Sequence, residues 1–543
     1  MRQQTVAVIG AGKIIQIVAA ILDADAEYPG SSGLSMLKTL REDGFKATCY
    51  ERRSQVGGLW AYTDDKSMTT ALPSTSANIS KFTCGMSDFP MPDKYPHYLS
   101  QWEFQEYIES YATHFDMHKD IVFNALVKEV SRNKDDSKWR LQAIVDGESR
   151  VEEYDKVAFC HGYQTKPNMP NFEGVEKFEG AIMHTQEFRM SDEFKGKRVV
   201  VVGISSTASD VIYSLLPVAS KVYMSHRRGA LIVPKYRKGF PPDLMVSWRR
   251  RQMTAFLQRN FPNFSRWLLD RVVGLMIKQM WSDLDPAWGL VPPPSLSLSP
   301  RALNENIIPA LRDGSLTSLP GIKCFTGPRS IEFTDGTVLD DIDAVICATG
   351  YRADFSAAPF LEKSRPSNYG GPDFVRLWMN LFPPKYVDSM VLLCYSAFGK
   401  NNGFSFSDVT SMAVSNVWRG VHPIPTVEEM EKHVDSHQNW VAARWRLDNN
   451  IDVSAVKTWE YQSFLHKAAG TGMENLGWGW KGWKFWFQDP KMSYLMNNGV
   501  ETAHAFRYFE TGKRKAWPGA RDAIIHMNEL VKVFPIKEEK KIQ

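Results

Sequence analysis

The sequence lacks the features typical of secreted, membrane-spanning and metal-binding proteins. Its six cysteines are scattered, with no Cys-x-x-Cys pair and no metal-type spacing, which favours reduced thiols. No stretch approaches the roughly 20 apolar residues of a membrane span, and Met1 runs into a strand-like segment without a basic and apolar leader. We therefore expect a cytoplasmic protein with no transmembrane segment, no dithiol mechanism and no metal site.

Concentrated charge is scarce as well. The net charge is +4 over 543 residues, and lysines gather only in the tail 537–541, so the sequence does not predict binding to nucleic acid. Apolar material is ample, at 43% of the residues, and the length predicts two or three domains.

Internal repetition is the most informative feature. Val6-Ala-Val-Ile-Gly10 is echoed by Val199-Val-Val-Val-Gly203, and both are runs typical of a buried strand that ends in glycine. Each run is followed by a helix-like segment, 34–43 or 208–216, and then by a second strand, 47–51 or 221–226. The pattern predicts two βαβ units of the kind that binds dinucleotides.

The first dinucleotide loop is interrupted. Gly10-Ala11-Gly12 begins a phosphate-binding turn, but its continuation, Ser31-Ser32-Gly33, comes only after the segment 13–30. Gly10 lies 41 positions before Glu51; without these eighteen residues the separation is 23, close to the 24 from Gly203 to Arg227.

We hypothesise that residues 13–30 are translated from a retained intron. Gly12-Lys13 can be encoded with GTAAG, Ala24-Asp25 with CTGAC and Pro29-Gly30 with CAG, which are donor, branch and acceptor signals in the right order. A genuine surface insertion is the alternative. Transcripts that all retain the segment would contradict the intron hypothesis.

Residues beyond the loops indicate which nucleotides bind. Glu51 ends the second strand, where an acidic side chain accepts hydrogen bonds from a ribose, and the paired glycines 57 and 58 would let the backbone approach a flavin. In the second loop, Ser205, Ser206 and Ala208 replace the later glycines. Arg227 and Arg228 stand where NAD-binding units place an acid, and guanidinium groups match a 2′-phosphate, so NADPH is favoured over NADH.

With these residues the chain resembles the class B flavin-containing monooxygenases, with similarity to dimethylaniline monooxygenases and to fungal members above all. The most specific element is Phe-x-Gly-x-x-x-His followed by an aromatic residue, which spans Phe178 to His184 and Phe188. Further similar blocks are Glu51 to Trp60, Asn78-Ile-Ser-Lys81 with Ser87-Asp-Phe-Pro90, and Ala348-Thr-Gly-Tyr351.

The resemblance implies a mixed α/β fold with two Rossmann-like domains, the NADP domain being inserted into the FAD domain. We expect the first part of the FAD domain at 1–190, the NADP domain with a helical excursion (249–281) at 191–324, and the rest of the FAD domain with a C-terminal extension at 325–543. The strand-like runs 157–162 and 344–350 are both expected to return to the sheet of the first unit. The expected cofactor-binding residues are Gly10, Gly12, Gly33, Glu51, Gly58, Leu59, Trp60, Gly203, Ser205, Ser206, Arg227, Arg228, Thr349 and Gly350.

The resemblance also implies the chemistry. NADPH would reduce FAD, O2 would add at the flavin C4a, and the resulting hydroperoxide would oxygenate an amine nitrogen or a thioether sulfur of a small molecule. Asn78 matches the family's active-site asparagine, while Phe178 and His184 are expected to shape the linker between the domains. Baeyer–Villiger enzymes, which oxygenate ketones, share the signature but usually carry Trp where this chain has Phe188.

Two alternatives stay open on the sequence. The interrupted first loop could leave a catalytically silent protein that does not hold FAD. The run from Trp478 to Trp486, rich in Trp and Lys, suits a peripheral membrane contact, although such runs more often pack against their own domain. Neither substrate identity nor oligomeric state is predicted.

Overall fold

A computed structural model describes residues 3–10, 32–162, 165–237, 239–298, 301–304, 306–393, 403–449, 451 and 453–533. Gly12 and the hypothesised intron 13–30 lie outside these residues.

The described part of the chain contains short strands throughout its first 392 residues. In chain order these strands are β1 (Thr5–Ile9), β2 (Lys46–Tyr50), β3 (Ile121–Val122), β4 (Ala125–Arg132), β5 (Trp139–Val145), β6 (Glu148–Tyr154), β7 (Lys156–Phe159), β8 (Lys166–Pro167), β9 (Ala181–His184), β10 (Arg198–Val202), β11 (Lys221–Ser225), β12 (Leu231–Val233), β13 (Arg301–Leu303), β14 (Leu316–Leu319), β15 (Ile322–Gly327), β16 (Ser330–Phe333), β17 (Val338–Leu339), β18 (Ala344–Cys347), β19 (Tyr351–Arg352), β20 (Lys363–Ser364), β21 (Phe374–Val375) and β22 (Met390–Leu392).

Helices dominate the C-terminal part. The α-helices of the described residues are α1 (Ser32–Glu42), α2 (Gln101–His114), α3 (Ser206–Leu215), α4 (Trp248–Asn260), α5 (Pro262–Met280), α6 (Ile307–Arg312), α7 (Gly403–Trp418), α8 (Val427–Leu447), α9 (Thr458–Ala469), α10 (Trp480–Gln488), α11 (Pro490–Asn498) and α12 (Ala520–Val533). The helical excursion expected at 249–281 is confirmed as α4 and α5.

The first sheet has the order β22-β7-β1-β2-β3, and its strands are parallel. The apolar run Val6 to Ile9 is buried because helices cover this sheet, as in other parallel sheets. Helix α1 lies between β1 and β2 in the chain and packs against both, and α7 covers it from outside. The βαβ unit predicted from the sequence is therefore present, with β1 before segment 13–30 and α1 and β2 after it.

The second sheet is also parallel, in the order β14-β11-β10-β18-β9. Its central unit is β10-α3-β11, as the sequence predicts. The prediction that both glycine-ended runs return to the first sheet is confirmed for β7, which pairs with β1, and is wrong for β18, which pairs with β10. The chain returns to the first sheet only at β22. A continuous apolar strand fits the centre of either sheet, so its pattern cannot choose between them.

The second sheet therefore draws on residues outside the range 191–324 expected for the inserted domain. Strand β9 precedes that range and β18 follows it, and the two pair with each other. The two crossings between the domains accordingly fall after β7, in the segment that leads to β9, and after β18, in the segment that leads to β19.

Candidate active site

The first dinucleotide turn begins at Gly10, directly after β1. Its N–H donates to the Tyr50 carbonyl at 2.7 Å, and its φ of +92° is in the left-handed region. A Cβ here would lie 2.7 Å from Cα of His161. The position therefore admits only glycine, as a turn that brings backbone close to a pyrophosphate requires.

Helix α1 begins at Ser32, and Gly33 is buried in its first turn. The Ser32 hydroxyl lies 2.8 Å from that of Ser407 on α7. The helix N-terminus follows β1 in the arrangement that binds phosphate in such units, so these residues fit the pyrophosphate of FAD.

Glu51 is 2% exposed at the carboxyl end of β2, and its Oε1 accepts the Arg53 N–H at 2.8 Å. The Arg53 guanidinium donates to the carbonyls of Ala61 and Thr69, each at 2.6 Å. Burial lowers the pKa of Arg53 to about 10, and the nearby Glu51 opposes this shift. Arg53 thus fixes the turn that carries Gly58, Leu59 and Trp60.

That turn is a short 3-10 helix that Gly57 and Gly58 enter with φ of +113° and +55°. The Trp60 ring stacks on Phe104 with the centroids 4.3 Å apart. A Cβ on Gly57 would overlap the Gln105 side chain. The paired glycines are therefore required by the turn itself, in addition to any flavin contact.

The second turn is continuous. Gly203 has φ of +131°, and a Cβ there would lie 2.5 Å from the Ala348 carbonyl oxygen. Ser205 is the N-cap of α3, and Ser206 is 1% exposed. The buried Ser206 hydroxyl has no hydrogen-bond partner among the described residues. An orphaned hydroxyl at a helix N-terminus fits an incoming phosphate of NADPH.

The two arginines expected to recognise the 2′-phosphate differ in exposure. Arg227 is exposed, whereas Arg228 is half-buried and forms an ion pair with Asp448. Their neighbour His226 is held by Ser318 at 2.9 Å and by the Trp288 carbonyl at 3.1 Å, and burial lowers its pKa. Of the two guanidinium groups, that of Arg227 is therefore the more exposed to solvent.

The linker signature, Phe178 to His184 with Phe188, makes contacts that connect the two segments in which the chain crosses between the domains. The His184 Nε2 lies 3.0 Å from the Gly350 carbonyl, its Nδ1 accepts the Gln186 N–H at 3.1 Å, and burial lowers its pKa. Thr349 donates to the Asn168 carbonyl at 2.8 Å. These contacts give His184 and Thr349 a structural role, as expected for His184.

A cavity opens where the two dinucleotide units meet. From the first unit it is lined by Leu59, Trp60 and Asn78, all three predicted as site residues. The second unit contributes the face of α3, and the linker regions contribute one residue each. These additional lining residues are Thr207, Asp210, Thr185 and Tyr351.

Asp210 is the ionisable acid of this cavity wall. Its Oδ2 lies 3.5 Å from the Thr75 hydroxyl, and loss of solvent raises the pKa of Asp210 to about 6, while the positive charge of Lys235 opposes the shift. Burial likewise raises the pKa of Tyr351 to about 12. Asn78, only 9% exposed, adds a neutral amide.

Sequence reasoning missed Asp210, Thr75 and Tyr351. Asp210 lies two positions after Ala208 of the second loop, and Tyr351 ends the Ala348-Thr-Gly-Tyr351 block, so the sequence singles out both segments. Only the contact between α3 and the segment around Asn78 brings their side chains together.

Comparison of this chain with known proteins agrees with this geometry. Residues 24–542 match the family described as flavin-binding monooxygenase-like. Monooxygenase aurF of Gibberella zeae is 33% identical over 92% of this chain and 96% of its own length. Flavin-containing monooxygenase 3 of Homo sapiens is 27% identical over 95% of this chain and 91% of its own length.

Solved structures share the fold. S-allyl-L-cysteine S-oxygenase from Allium sativum gives a TM-score of 0.60 at 18% identity and covers 98% of this chain and 99% of its own. A steroid monooxygenase bound to NADP gives a TM-score of 0.59 at 17% identity, covering 87% and 98%. The neighbours have two dinucleotide-binding domains, as does this chain.

The chain therefore belongs to the flavin-binding monooxygenase-like family. It is a flavin-dependent monooxygenase that uses FAD and NADPH, and a small molecule and O2 are fitting substrates for such an enzyme. Among the described residues, no helix is both long and apolar enough to cross a bilayer.

Proposed function

We propose that this enzyme oxygenates a soft nucleophile, an amine nitrogen or a thioether sulfur. For a thioether the balance is one sulfide, one O2, one NADPH and one proton giving sulfoxide, NADP⁺ and water. Bound FAD supplies the redox chemistry and the activated oxygen. The protein supplies position and exclusion of water.

The cavity between the two dinucleotide units, which we call the junction cavity, is the observation that carries this proposal. Its wall combines the predicted flavin-side residues Leu59, Trp60 and Asn78 with the helix of the NADPH unit, so both cofactors would meet there. Oxygen transfer to a soft nucleophile requires no protein nucleophile, and the neutral amide of Asn78 can orient groups by hydrogen bonds without adding charge.

We assign the FAD pyrophosphate to the turn at Gly10 and Gly12 and to the N-terminus of α1 with Gly33, and its ribose to Glu51. The NADPH pyrophosphate goes to Gly203, Ser205 and Ser206. We assign the 2′-phosphate to Arg227, with Arg228 supporting the site through its ion pair to Asp448. Thr349 and Gly350 remain proposed cofactor-binding residues, and their contacts with Asn168 and His184 would hold them in place.

The test uses the purified protein supplied with FAD. We would follow NADPH oxidation, O2 consumption and products with N,N-dimethylaniline, thioanisole and cyclohexanone. The proposal expects N-oxide or sulfoxide in proportion to NADPH. An ester as the dominant product would instead establish the Baeyer–Villiger alternative, and a flavin-loaded protein that makes no oxygenated product would contradict both.

Asn78 provides a sharper test. Asn78→Ala removes the amide from the cavity, and we expect NADPH oxidation to continue while oxygenated product falls at least roughly tenfold, the size of one lost catalytic hydrogen bond. Thr70→Val, at the same wall but outside the predicted catalytic residues, is the matched control. Equal product from Asn78→Ala and wild type would remove Asn78 from the proposed mechanism.

A further inference from the structure

Exposed aromatic side chains concentrate on one part of the surface. Among the described residues, ten of the twelve exposed Phe, Trp and Tyr side chains lie on α4–α5 or around α10–α11. With two aliphatic neighbours they form what we call the aromatic face. Its members are Met253, Phe256, Phe261, Phe264, Trp267, Leu275, Trp478, Trp480, Trp483, Trp486, Phe487 and Tyr494.

The expectation that the tryptophan run packs against its own domain is wrong for its four tryptophans. Trp480 is 78% exposed and Phe487 72%, whereas Phe485 between them is buried. Phe485 packs on Phe509 at 4.9 Å and so attaches α10 to the molecule. The remaining rings of α10 are left on the outside.

The two halves of the aromatic face are neighbours. Helix α10 packs on α11, and α11 packs on α4. The Arg249 guanidinium of α4 lies 4.6 Å from the centre of the Trp478 ring. On α4, Met253 and Phe256 follow Arg249 at helical spacing, so the exposed surface continues along this helix.

Helix α5 extends the aromatic face with a row of aromatic, basic and aliphatic side chains. Phe264, Trp267, Arg271, Leu275 and Lys278 recur every three or four positions and are all exposed, which places them on one side of the helix. The Phe264 and Trp267 rings stack 5.9 Å apart, and the Arg271 guanidinium lies 5.8 Å from the Trp267 ring. The other side of α5 is buried.

The charge around the aromatic face is positive. Segment 248–280 contains seven Arg and Lys residues, of which Arg251 is buried in an ion pair with Glu501, and a single acidic residue, Asp270. That carboxylate is half-buried and accepts the Ser295 hydroxyl at 2.9 Å. Around α10, Lys484 and Lys491 are exposed, while the acidic residues Glu474 and Asp489 are paired with Lys481 and Arg521.

We propose that the aromatic face docks the enzyme on the surface of an anionic lipid bilayer. Trp with Lys and Arg is the composition of a membrane–water interface, where the rings enter the headgroup region and the cations meet lipid phosphates. A second copy of the chain fits less well, because a symmetric contact would bring the basic residues of the two copies together. Docking by this face requires no spanning helix.

Vesicle flotation tests this proposal with the full chain. Wild-type protein should float with vesicles of phosphatidylcholine containing about one-third phosphatidylserine, and should float much less with phosphatidylcholine alone. Binding should weaken as salt is raised, because the charged contribution is screened. A wild-type protein that stays with the unbound fraction in low salt contradicts the proposal.

Three double variants separate the contributions. Trp480→Ala with Phe487→Ala, and Phe264→Ala with Trp267→Ala, should each reduce vesicle binding at least tenfold. Arg271→Glu with Lys278→Glu should remove the preference for phosphatidylserine. Trp102→Ala on α2, at 60% exposure, is the matched control and should bind like wild type.

The same samples check folding and self-association. NADPH oxidation and flavin content should be unchanged in all variants, since none of these residues lines the junction cavity. Variants that float like wild type would contradict the proposal. A second result would also contradict it. Sedimentation would show a wild-type dimer that the Trp480→Ala with Phe487→Ala variant dissociates, while wild type does not bind vesicles.

Discussion

The two dinucleotide units hold their helices in different ways. In the first, every residue of α1 from Ser32 to Leu40 is buried, and α7, β1 and β2 pack against the helix. In the second, α3 follows a continuous turn, exposes Tyr213 at 55%, and presents Asp210 to the cavity. Helix α1 is therefore positioned mainly by tertiary contacts, whereas the position of α3 depends more on its own turn.

An ion-pair cluster strengthens the hold on α1. Asp43, just past the helix, accepts from Arg514 at 2.7 and 3.1 Å and from Arg419 at 2.9 Å. Within the helix, Lys38 is paired with Asp88 and Glu42. Apart from Glu42 of α1 itself, the partners are Arg419 directly after α7, Arg514 in the C-terminal segment, and Asp88. The end of α1 is therefore fixed far from the interrupted loop.

Deleting residues 13–30 should have the largest effect. The deletion restores Gly-Ala-Gly-Ser-Ser-Gly between β1 and α1, and we expect FAD affinity to rise at least tenfold, because the loop backbone can then surround the pyrophosphate. Flavin absorbance and NADPH oxidation of both purified forms would be compared. If the full chain is already yellow and equally active, the segment is a tolerated insertion and the silent alternative is excluded.

The two loop glycines test the comparison directly. Gly10→Ala should abolish FAD retention because its Cβ would contact the backbone of His161. Gly203→Ala should leave FAD bound and raise the KM for NADPH at least tenfold, because its Cβ would contact the Ala348 carbonyl. Gly274→Ala, where a Cβ meets nothing within 4 Å, is the control. Loss of both cofactors in both variants would contradict the assignment of one cofactor to each unit.

Removing Asp43, which anchors the end of α1, should lower the free energy of unfolding but have little effect on NADPH oxidation. In Asp43→Ala, Arg514 and Arg419 lose a buried partner, and breaking such a pair costs about 3–5 kcal/mol. Chemical denaturation would measure this change. Asp283→Ala, which breaks an exposed pair with Arg312, should cost less than about 1 kcal/mol. Equal losses in the two variants would show that the cluster does not anchor α1.

Nucleotide choice should depend on one arginine more than on its neighbour. Arg227→Ala should raise the KM for NADPH roughly 10- to 100-fold, the equivalent of one charged hydrogen bond, and leave the KM for NADH unchanged. Arg228→Ala should have a smaller effect on this ratio, because Arg228 is already paired with Asp448. A parallel rise for both nucleotides in Arg227→Ala would place the 2′-phosphate elsewhere.

The smallest expected effect concerns Asp210. Its pKa of about 6 lies above the value of about 3.9 for an unfolded aspartate, so the folded state retains the proton between these values. Stability therefore falls as pH rises through this window and stays at the lower value above about pH 6, where both states are ionised. Asp210→Asn should raise Tm by about 2 °C or less at pH 8, with less gain at pH 4. An equal change at both pH values would contradict the shifted pKa.

Prediction from the sequence worked best where the signal is local. Thr5–Ile9 is a strand that ends directly before Gly10, as the apolar run predicts, and α4 and α5 occupy the predicted excursion. It failed for β18, since the apolar run at 344–347 suits either sheet. For the site, Leu59, Trp60 and Asn78 do line one cavity, whereas Asp210 faces it only through the contact between the two units.

The sequence by itself determined the two βαβ units, their order, the family resemblance and the pair of cofactors, because strand runs, glycine turns and strand-end charges are encoded within a few tens of residues. Only the tertiary structure decided which sheet receives β18, that Arg228 is paired with Asp448, how α1 is anchored, and that the aromatic face is exposed. Each of these depends on which distant segment covers or pairs with a residue, and local periodicity carries no information about that partner.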